Sequence, residues 1–192
     1  MPKLFVGIPV SEEYEARLNS MVETLRGRLR SRVSWTKPGK WHVTLQFLGK
    51  VDEEKVDEIR DALRLIEFLD FPMRAGSLEY IPNVHGPRIL WMDIKEGAET
   101  CIELAEAVEE VMAAFDFKQN ENFKPHLTLG RVKQIEGGDD FGVACAGLLQ
   151  AWPVLQVESF CLYKSEQTAE GHIYTVVEEF PLWMDSGLIP IR

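Results

Sequence analysis

Two four-residue segments of the same pattern constrain the fold of this chain more than any other feature. Residues 42–45 read HVTL and residues 126–129 read HLTL, and each segment lies in a stretch typical of a β-strand. Side chains two positions apart in a strand point to the same face of the sheet. Each segment therefore presents a histidine beside a threonine on one face of a strand. The fold must contain two such strands with equivalent exposed and buried faces.

The paired side chains suit proton transfer beside a phosphate group. An imidazole exchanges a proton near neutral pH, and a threonine hydroxyl can donate a hydrogen bond to a phosphoryl oxygen. A single His-x-Thr segment is more often ordinary strand sequence, because threonine favours strands. Two copies among only four histidines favour the functional interpretation. We predict that His42 and His126 are catalytic and that Thr44 and Thr128 lie with them around a phosphodiester.

The hydrophobic pattern predicts the order strand, helix, strand, helix, strand twice. The predicted strands are residues 3–10, the His42 strand, 72–82, 88–94, the His126 strand, 154–164 and a hairpin strand at 174–179. The predicted helix caps are Ser11, Asp52 and either Asp139 or Asp140, with the last helix running to about residue 150. The predicted buried helix faces are Tyr14, Leu18, Met21, Val22 and Leu25, then Val56, Ile59, Leu63 and Ile66, then Cys101, Leu104, Val108, Met112 and Phe115.

Matching spacing in the two halves indicates an internal duplication. Phe5 precedes His42 by 37 residues, and Leu90 precedes His126 by 36. We therefore predict one domain over residues 1–192, with a first lobe at about 1–84, a second at about 85–182 and a tail at 183–192. The expected class is α+β, with two pseudo-symmetric lobes of antiparallel sheet, helices outside and a cleft between the sheets. No G-x-G-x-x-G or Walker-type loop follows a strand, which disfavours a doubly wound nucleotide fold.

The charge balance limits how the chain could bind nucleic acid. A net charge of −10 disfavours a broad grip on a long polyanion but leaves room for a local basic pocket. A basic cluster surrounds the first motif: Arg26, Arg28, Arg30, Arg32, Lys37, Lys40 and Lys50. Its arginines either complement a helix dipole or help to hold RNA, and the sequence leaves both open.

The three cysteines and the apolar runs bear on the compartment. Cys101, Cys145 and Cys161 are odd in number, lack C-x-x-C spacing and have apolar neighbours, which indicates buried thiols in a reducing compartment. No apolar run is long enough to span a membrane. We expect a cytoplasmic protein without a membrane partner, a disulfide frame or a metal site.

The chain resembles the two-histidine (2H) phosphoesterases, and most closely their RNA 2′,3′-cyclic phosphodiesterase branch, once named 2′-5′ RNA ligase. The resemblance rests on residues 4–8 (LFVGI), 41–49 (WHVTLQFLG), 87–91 (PRILW), 123–131 (FKPHLTLGR) and 162–165 (LYKS), with Gly171 and Tyr174. It covers nearly the whole chain apart from the tail. Glu121 and Asn122 depart from it, because this branch often carries an Arg-Pro pair there.

The resemblance implies metal-independent hydrolysis of a 2′,3′-cyclic phosphate on an RNA end or nucleotide to a 2′-phosphomonoester. It implies no cofactor, and we expect a monomer. Arg131 matches the family's phosphate-contacting arginine, and Phe5 matches an aromatic near the terminal nucleotide. Core packing remains an open alternative for Phe5. Chemistry requires one neutral and one protonated imidazole, and our assignment is His126 as base and His42 as acid.

Two other functions remain open from the sequence. The same site run in reverse would make an ATP-independent 2′-5′ RNA ligase. A non-catalytic RNA- or nucleotide-binding module would keep the fold without needing two matched proton-transfer groups. The remaining histidines are predicted to be structural, His85 in a loop and His172 at a hairpin end.

Overall fold

The structure, a computed structural model, describes residues 1–83, 86–117, 122–148, 151–168 and 171–184. Its strands are β1 (Lys3–Pro9), β2 (Arg32–Trp35), β3 (His42–Lys50), β4 (Phe71–Asn83), β5 (Gly86–Glu96), β6 (His126–Gln134), β7 (Leu155–Val157), β8 (Ser159–Thr168) and β9 (Gly171–Pro181). Its α-helices are α1 (Glu12–Arg28), α2 (Val56–Leu63), α3 (Ala98–Met112) and α4 (Phe141–Cys145). The predicted α+β class is confirmed.

The strands form one curved antiparallel sheet in the order β7-β4-β5-β6-β3-β1-β8-β9, with β2 paired to β6. The two predicted lobes are thus two wings of one sheet, joined where Val43 on β3 pairs with Leu127 on β6. One wing holds β3, β1, β8 and β9, and the other holds β6, β5, β4, β7 and β2. Each wing takes two strands from the other half of the sequence, because β2 pairs with β6 and β4 with β5, while β8 pairs with β1 and β9 with β8. β2 was not predicted. The proposed lobe boundary near residue 84 lies outside the described residues.

The two wings share one strand register. Phe5, Gly7 and Pro9 on β1 pair with Phe47, Thr44 and His42 on β3. On β5 and β6, Ile89, Trp91 and Asp93 pair with Arg131, Thr128 and His126. Every residue of the second set follows its counterpart by 84 positions. The pairing also shifts by one residue at equivalent places, between Val6 and Gly7 on β1 and between Leu90 and Trp91 on β5. Ile89, rather than Leu90, is therefore the counterpart of Phe5. The common register supports the proposed duplication.

Helix caps and apolar faces explain how the helices cover the sheet. Ser11 caps α1 by accepting a hydrogen bond from the Tyr14 backbone N–H at 3.4 Å. The predicted face of α1 is buried throughout. On α3 the predicted residues from Cys101 to Met112 are buried, whereas Phe115 lies beyond the helix in a 3₁₀ turn. On α2, Ile59 and Leu63 are buried and Val56 is only partly so. These faces pack on one side of the sheet and form the core with Val6, Val43 and Leu127.

Some element boundaries differ from the prediction. Asp52 precedes a 3₁₀ turn and makes no capping hydrogen bond with its side chain. Asp140 caps α4, but this helix ends at Cys145 rather than near residue 150. Asp139 instead accepts hydrogen bonds from the backbone N–H groups of Arg30 and Ser31. The strand predicted at 154–164 is divided into β7 and β8.

The described part of the C-terminal segment contacts the rest of the fold. Trp183 forms an isolated bridge with Leu69, so the predicted tail begins packed against the body. The remainder of that tail, and His85, lie outside the described residues. None of the helices in the described ranges is long and apolar enough to cross a membrane.

Candidate active site

The two His-x-Thr segments meet at the junction of the wings. β3 and β6 run antiparallel and pair at Val43 and Leu127, the central residues of the two motifs. This register places His42 opposite Thr128 and Thr44 opposite His126. All four side chains are partly exposed, whereas Val43 and Leu127 are fully buried on the other face. The structure therefore brings the four predicted side chains to one face of the sheet.

Both imidazoles are held in the same way. His42 Nδ1 lies 2.9 Å from the carbonyl oxygen of Lys40, and His126 Nδ1 lies 2.7 Å from that of Lys124. A carbonyl oxygen can only accept, so each Nδ1 must carry a proton and donate it. In the neutral ring Nε2 is then unprotonated. Each histidine thus keeps Nε2 for accepting a proton or, once charged, for giving one.

Burial favours the neutral form of both rings. Burial lowers the pKa of His42 to about 4. The hydrogen bond to the Lys40 carbonyl raises this pKa, and the charge of His126 lowers it by a smaller amount. Burial also lowers the pKa of His126, with a smaller effect from the charge of Arg131. The free site therefore holds two neutral imidazoles near pH 7. An anion bound between them would raise both pKa values and favour one added proton.

Different neighbours surround the two rings. The Phe5 ring lies 4.7 Å from the His42 ring, centroid to centroid, and the Tyr174 ring meets His42 edge-on at 5.3 Å. Beside His126, the Trp91 ring makes an edge contact at 4.7 Å. Phe5 is only 3% exposed and also stacks on Tyr163, which favours the packing alternative over a stacking surface for a base.

Glycine leaves room for the His42 ring. A Cβ at Gly7 would lie 2.9 Å from the Val43 carbonyl oxygen and 3.3 Å from His42 Cδ2. Contacts this short would displace the strand or the ring. Gly7 is the register counterpart of Trp91, so the wings make space for their histidines differently.

A cavity of about 450 Å³ opens beside the histidines. Its walls include His42, Thr44, Thr128, Arg131 and Phe5, while His126 lies next to it across from Thr44. Among the described residues that line it none is acidic, and five are lysine or arginine: Lys3, Lys37, Lys40, Arg131 and Lys133. A chain of net charge −10 thus presents a cationic cavity. Such a cavity suits a phosphorylated ligand.

Only part of the predicted basic cluster belongs to this cavity. Lys37 and Lys40 line it. Arg26 forms an ion pair with Glu23, and Arg28 donates hydrogen bonds to the carbonyl oxygens of Ala144 and Ala146. Both arginines lie in the last turn of α1, so the helix-end interpretation fits them. Arg30, Arg32 and Lys50 are not among the cavity residues.

Several cavity residues were not predicted from the sequence. Tyr174 and His172 lie on β9, far along the chain from the motifs. His172 does lie at the start of a hairpin strand, as predicted, but its backbone carbonyl accepts from Lys40 Nζ and its Nδ1 lies 3.2 Å from Ser165 Oγ. Lys3 and Lys133 reach the cavity from opposite wings. Tyr174 had a sequence signal only through the resemblance.

No group of three or more His, Cys, Asp or Glu side chains that could hold a metal lies among the described residues. The cavity instead offers proton-transfer groups, hydroxyl donors and one guanidinium. Within the described ranges, Arg131 makes no ion pair with an acidic side chain. This set can bind a phosphate ester and move protons at its oxygens.

The chain is similar to known phosphoesterases. A family model described as LigT-like phosphoesterase matches residues 8–91 and 93–174. The RNA 2′,3′-cyclic phosphodiesterase of Archaeoglobus fulgidus is 30% identical over 178 residues, which are 93% of this chain and 99% of that protein. The protein of the same name from Thermus thermophilus is 33% identical over 196 residues, with 96% and 92% covered.

Solved structures share the fold. The crystal structure of TT0787 of Thermus thermophilus has a TM-score of 0.75 at 28% identity, covering 95% of this chain and 99% of that one. Escherichia coli LigT, crystallised with 3′-AMP, has a TM-score of 0.74 over 94% of this chain and 98% of its own. Its identity of 19% makes this a likeness of fold alone.

Proposed function

Because the chain belongs to the LigT-like phosphoesterase family, we propose that it hydrolyses the 2′,3′-cyclic phosphate of an RNA end or nucleotide to a 2′-phosphomonoester. The observation that carries this proposal is the pairing of the two His-x-Thr segments across β3 and β6. Two imidazoles and two hydroxyls on one face of a sheet flank a single phosphate. Curated relatives that match over nearly the full length carry this activity in their names.

The reaction needs two proton transfers in opposite directions. His126 Nε2 takes a proton from water as its oxygen attacks phosphorus, and the bond from phosphorus to the 3′-oxygen breaks. His42 Nε2 gives its proton to that 3′-oxygen. The products are a 3′-hydroxyl and a 2′-phosphate. The matched Nδ1 hydrogen bonds support this use of Nε2 on both rings.

His42 takes up its proton from solvent when the substrate binds. With a pKa of about 4, His42 is neutral in the free protein near pH 7. The negative charge of a bound cyclic phosphate raises this pKa, because an opposite charge favours the protonated ring. His42 can therefore act as a general acid only when an anion occupies the site. One proton shared between two such rings is a coupled titration.

The remaining cavity residues stabilise charge on the phosphate. Thr44 and Thr128 donate hydrogen bonds to the non-bridging oxygens, and the Arg131 guanidinium faces the same oxygens with a fixed positive charge. Arg131 reaches the cavity because β6 slips register between Thr128 and Gly130. That slip supports a place for Arg131 on the cavity wall with Thr128. These groups supply the stabilisation that a metal would otherwise give, so we propose a metal-independent reaction.

The chain supplies the whole proposed site. Every residue named above belongs to one copy, which supports action as a monomer. Cys101, Cys145 and Cys161 are free thiols, which supports a cytoplasmic location.

The activity is tested with two substrates: adenosine 2′,3′-cyclic phosphate and an oligonucleotide that ends in a cyclic phosphate. EDTA is present in both assays. The expected product of both is the 2′-phosphate, resolved from the 3′-phosphate by ³¹P NMR. A His42→Ala, His126→Ala double variant purified in the same way controls for a contaminating nuclease. Absence of hydrolysis, a 3′-phosphate product or a loss of activity with EDTA would contradict the proposal. A 2′-5′-linked product formed from added 5′-hydroxyl RNA would reveal the ligase reaction.

A further inference from the structure

The two carbonyl groups that hold the histidines belong to equivalent residues of the two wings. Lys40 and Lys124 each lie two positions before their histidine, and they are 84 positions apart, the offset that relates the wings. Their side chains differ in what they contact. Lys40 Nζ donates a hydrogen bond to the backbone carbonyl of His172 on β9. Within the described residues the Lys124 side chain is exposed and makes no hydrogen bond or ion pair.

A proline explains why the second wing can do without such a contact. Pro125 lies between Lys124 and His126. The residue before a proline is confined to extended backbone by steric contact with the proline ring. This restriction limits the directions that the Lys124 carbonyl can take, and that carbonyl accepts the hydrogen bond from His126 Nδ1. The covalent chain itself thus helps to aim the acceptor at the ring.

The first wing lacks that restriction. Trp41 stands where the second wing has Pro125, and Gly39 before Lys40 has a φ of +77°, which glycine adopts easily. Hydrogen bonds hold this turn instead. The Gly39 backbone N–H donates to Glu15 Oε2 on α1 at 2.7 Å, and Lys40 Nζ reaches β9. The direction of the Lys40 carbonyl therefore depends on contacts that side chains supply.

The part of β9 that Lys40 contacts also borders the His42 ring. His172 Nδ1 lies 3.2 Å from Ser165 Oγ on β8. Tyr174, two residues later on β9, meets the His42 ring edge-on at 5.3 Å. Lys40 therefore connects the turn that carries the hydrogen-bond acceptor of His42 to the strand that packs against the same ring.

We propose that Lys40 is a positioning residue, whose ammonium group on the His172 carbonyl fixes the Lys40 carbonyl that orients His42. The consequence for proton donation by His42 rests on the proposed function, whereas the orientation of the ring does not. Without the contact to β9 the turn can move and the hydrogen bond to Nδ1 is weakened. The ring can then rotate, and Nε2 no longer points at the leaving oxygen. Lys40 acts through the backbone rather than on the substrate.

Nitrogen NMR of the free protein tests the orientation without a substrate. Near neutral pH the wild-type His42 ring should show a protonated Nδ1 and an unprotonated Nε2. Lys40→Met removes the donor and keeps a side chain of similar length, so it should move the ¹⁵N shifts of His42 toward a mixture of both neutral tautomers and leave those of His126 unchanged. Lys40→Arg retains a donor and should preserve the wild-type shifts. Lys124→Met, at the equivalent place in the other wing, is the matched control and should alter neither ring.

Kinetics of the proposed hydrolysis separate positioning from substrate binding. Lys40→Met should lower kcat by roughly ten- to a hundredfold with little change in KM, because an imidazole misplaced by about an ångström transfers its proton poorly. Lys40→Arg should retain most of the wild-type kcat. Lys50→Met controls for the loss of a positive charge, because Lys50 lies on β3 outside the cavity, and it should leave both constants unchanged.

Three results would overturn the inference. Unaltered ¹⁵N shifts of His42 in folded Lys40→Met would show that the contact does not hold the ring, and equal changes in His42 and His126 would show a general loosening of the fold. A rise in KM with unchanged kcat would make Lys40 a cation that binds substrate. The NMR measurement needs no turnover, so a protein that hydrolyses no cyclic phosphate would disprove the proposed function while the ¹⁵N shifts still decide the role of Lys40.

Discussion

Single residues account for most of the proposed chemistry, and the central ones were predicted from the sequence. The repeated His-x-Thr pattern predicted a site of His42, Thr44, His126 and Thr128, because strand periodicity places each pair on one face. The pairing of β3 with β6 brings the two pairs side by side. The hydrogen bonds from Nδ1 to a carbonyl two residues earlier could not be predicted. They depend on the turn of the chain before each strand.

The pH dependence follows from the lowered pKa values of the histidines. Because kcat/KM reports the free protein, whose His42 pKa is about 4 and whose His126 pKa is also lowered, the bell-shaped profile of kcat/KM should centre below pH 6.5. The profile of kcat should lie at higher pH, since bound phosphate raises both pKa values. Initial rates from about pH 4 to 9 test this. Superimposed profiles, or a rate rising steadily into alkaline pH, would contradict it.

The Arg131 side chain offers a second test of the proposed chemistry. A guanidinium presents two parallel donors to two phosphate oxygens, whereas an ammonium is a point charge. Arg131→Lys should therefore lower both kcat and kcat/KM, by roughly ten- to a thousandfold if the lost donors resemble those of an oxyanion site. Arg131→Ala should lower them further. Arg32→Ala is the control, because Arg32 lies on the same wing outside the cavity. A rise in KM with unchanged kcat would instead assign Arg131 to ground-state binding.

At the scale of elements, strand pairing decides which side chains meet at the site. The sequence predicted the order of strands and helices, but hydrophobic spacing does not identify which strands pair. The missed features all depend on pairing: β2 beside β6, the exchange of β4 and β8 between wings, and the register slips that bring Phe47 and Arg131 to the cavity. The place of His172 and Tyr174 at the cavity was not predicted for the same reason. Only the pairing of β8 with β1 and with β9 brings these two residues to the cavity.

Gly7 tests the close packing of β1 against β3. An added methyl group would lie within 2.9 Å of the Val43 carbonyl oxygen, so Gly7→Ala should shift β3 and the His42 ring. We expect kcat/KM to fall by about a hundredfold, the effect of an ångström-scale misplacement, with a loss of about 1–3 kcal/mol of stability. Gly27→Ala in α1 is the matched control, because nothing lies within 4 Å of its added Cβ. It should leave activity unchanged and raise stability slightly. Wild-type kcat/KM in folded Gly7→Ala would refute this role.

On the scale of the whole molecule, the distribution of charge matters more than its sum. The net charge of −10 repels a polyanion, and the cationic cavity confines attraction to one place. Composition alone established the total charge and allowed a local basic pocket, but it did not identify the members of that pocket. Lys3 and Lys133 are far apart in sequence, and both line the cavity because the folded sheet brings β1 and β6 to it.

Salt dependence measures this local attraction. The kcat/KM for an oligonucleotide ending in a cyclic phosphate should fall more steeply with salt than that for the mononucleotide, because more phosphates meet the basic walls. Lys133→Ala should reduce the slope of log kcat/KM against log salt by about 0.7 for the oligonucleotide. Lys55→Ala, outside the cavity, is the control. Equal slopes for both substrates would show that only the terminal phosphate is bound.

The assignment of His126 as base and His42 as acid can be tested with a substrate in which sulfur replaces one oxygen. On the normal substrate His42→Ala and His126→Ala should each lower kcat by roughly two to four orders of magnitude. A cyclic substrate whose 3′-bridging oxygen is replaced by sulfur releases a thiolate, which leaves without an added proton. This substrate should restore turnover to His42→Ala and not to His126→Ala, because only His42 is proposed to protonate the leaving group. Recovery of both variants, of neither, or of His126→Ala alone would contradict it.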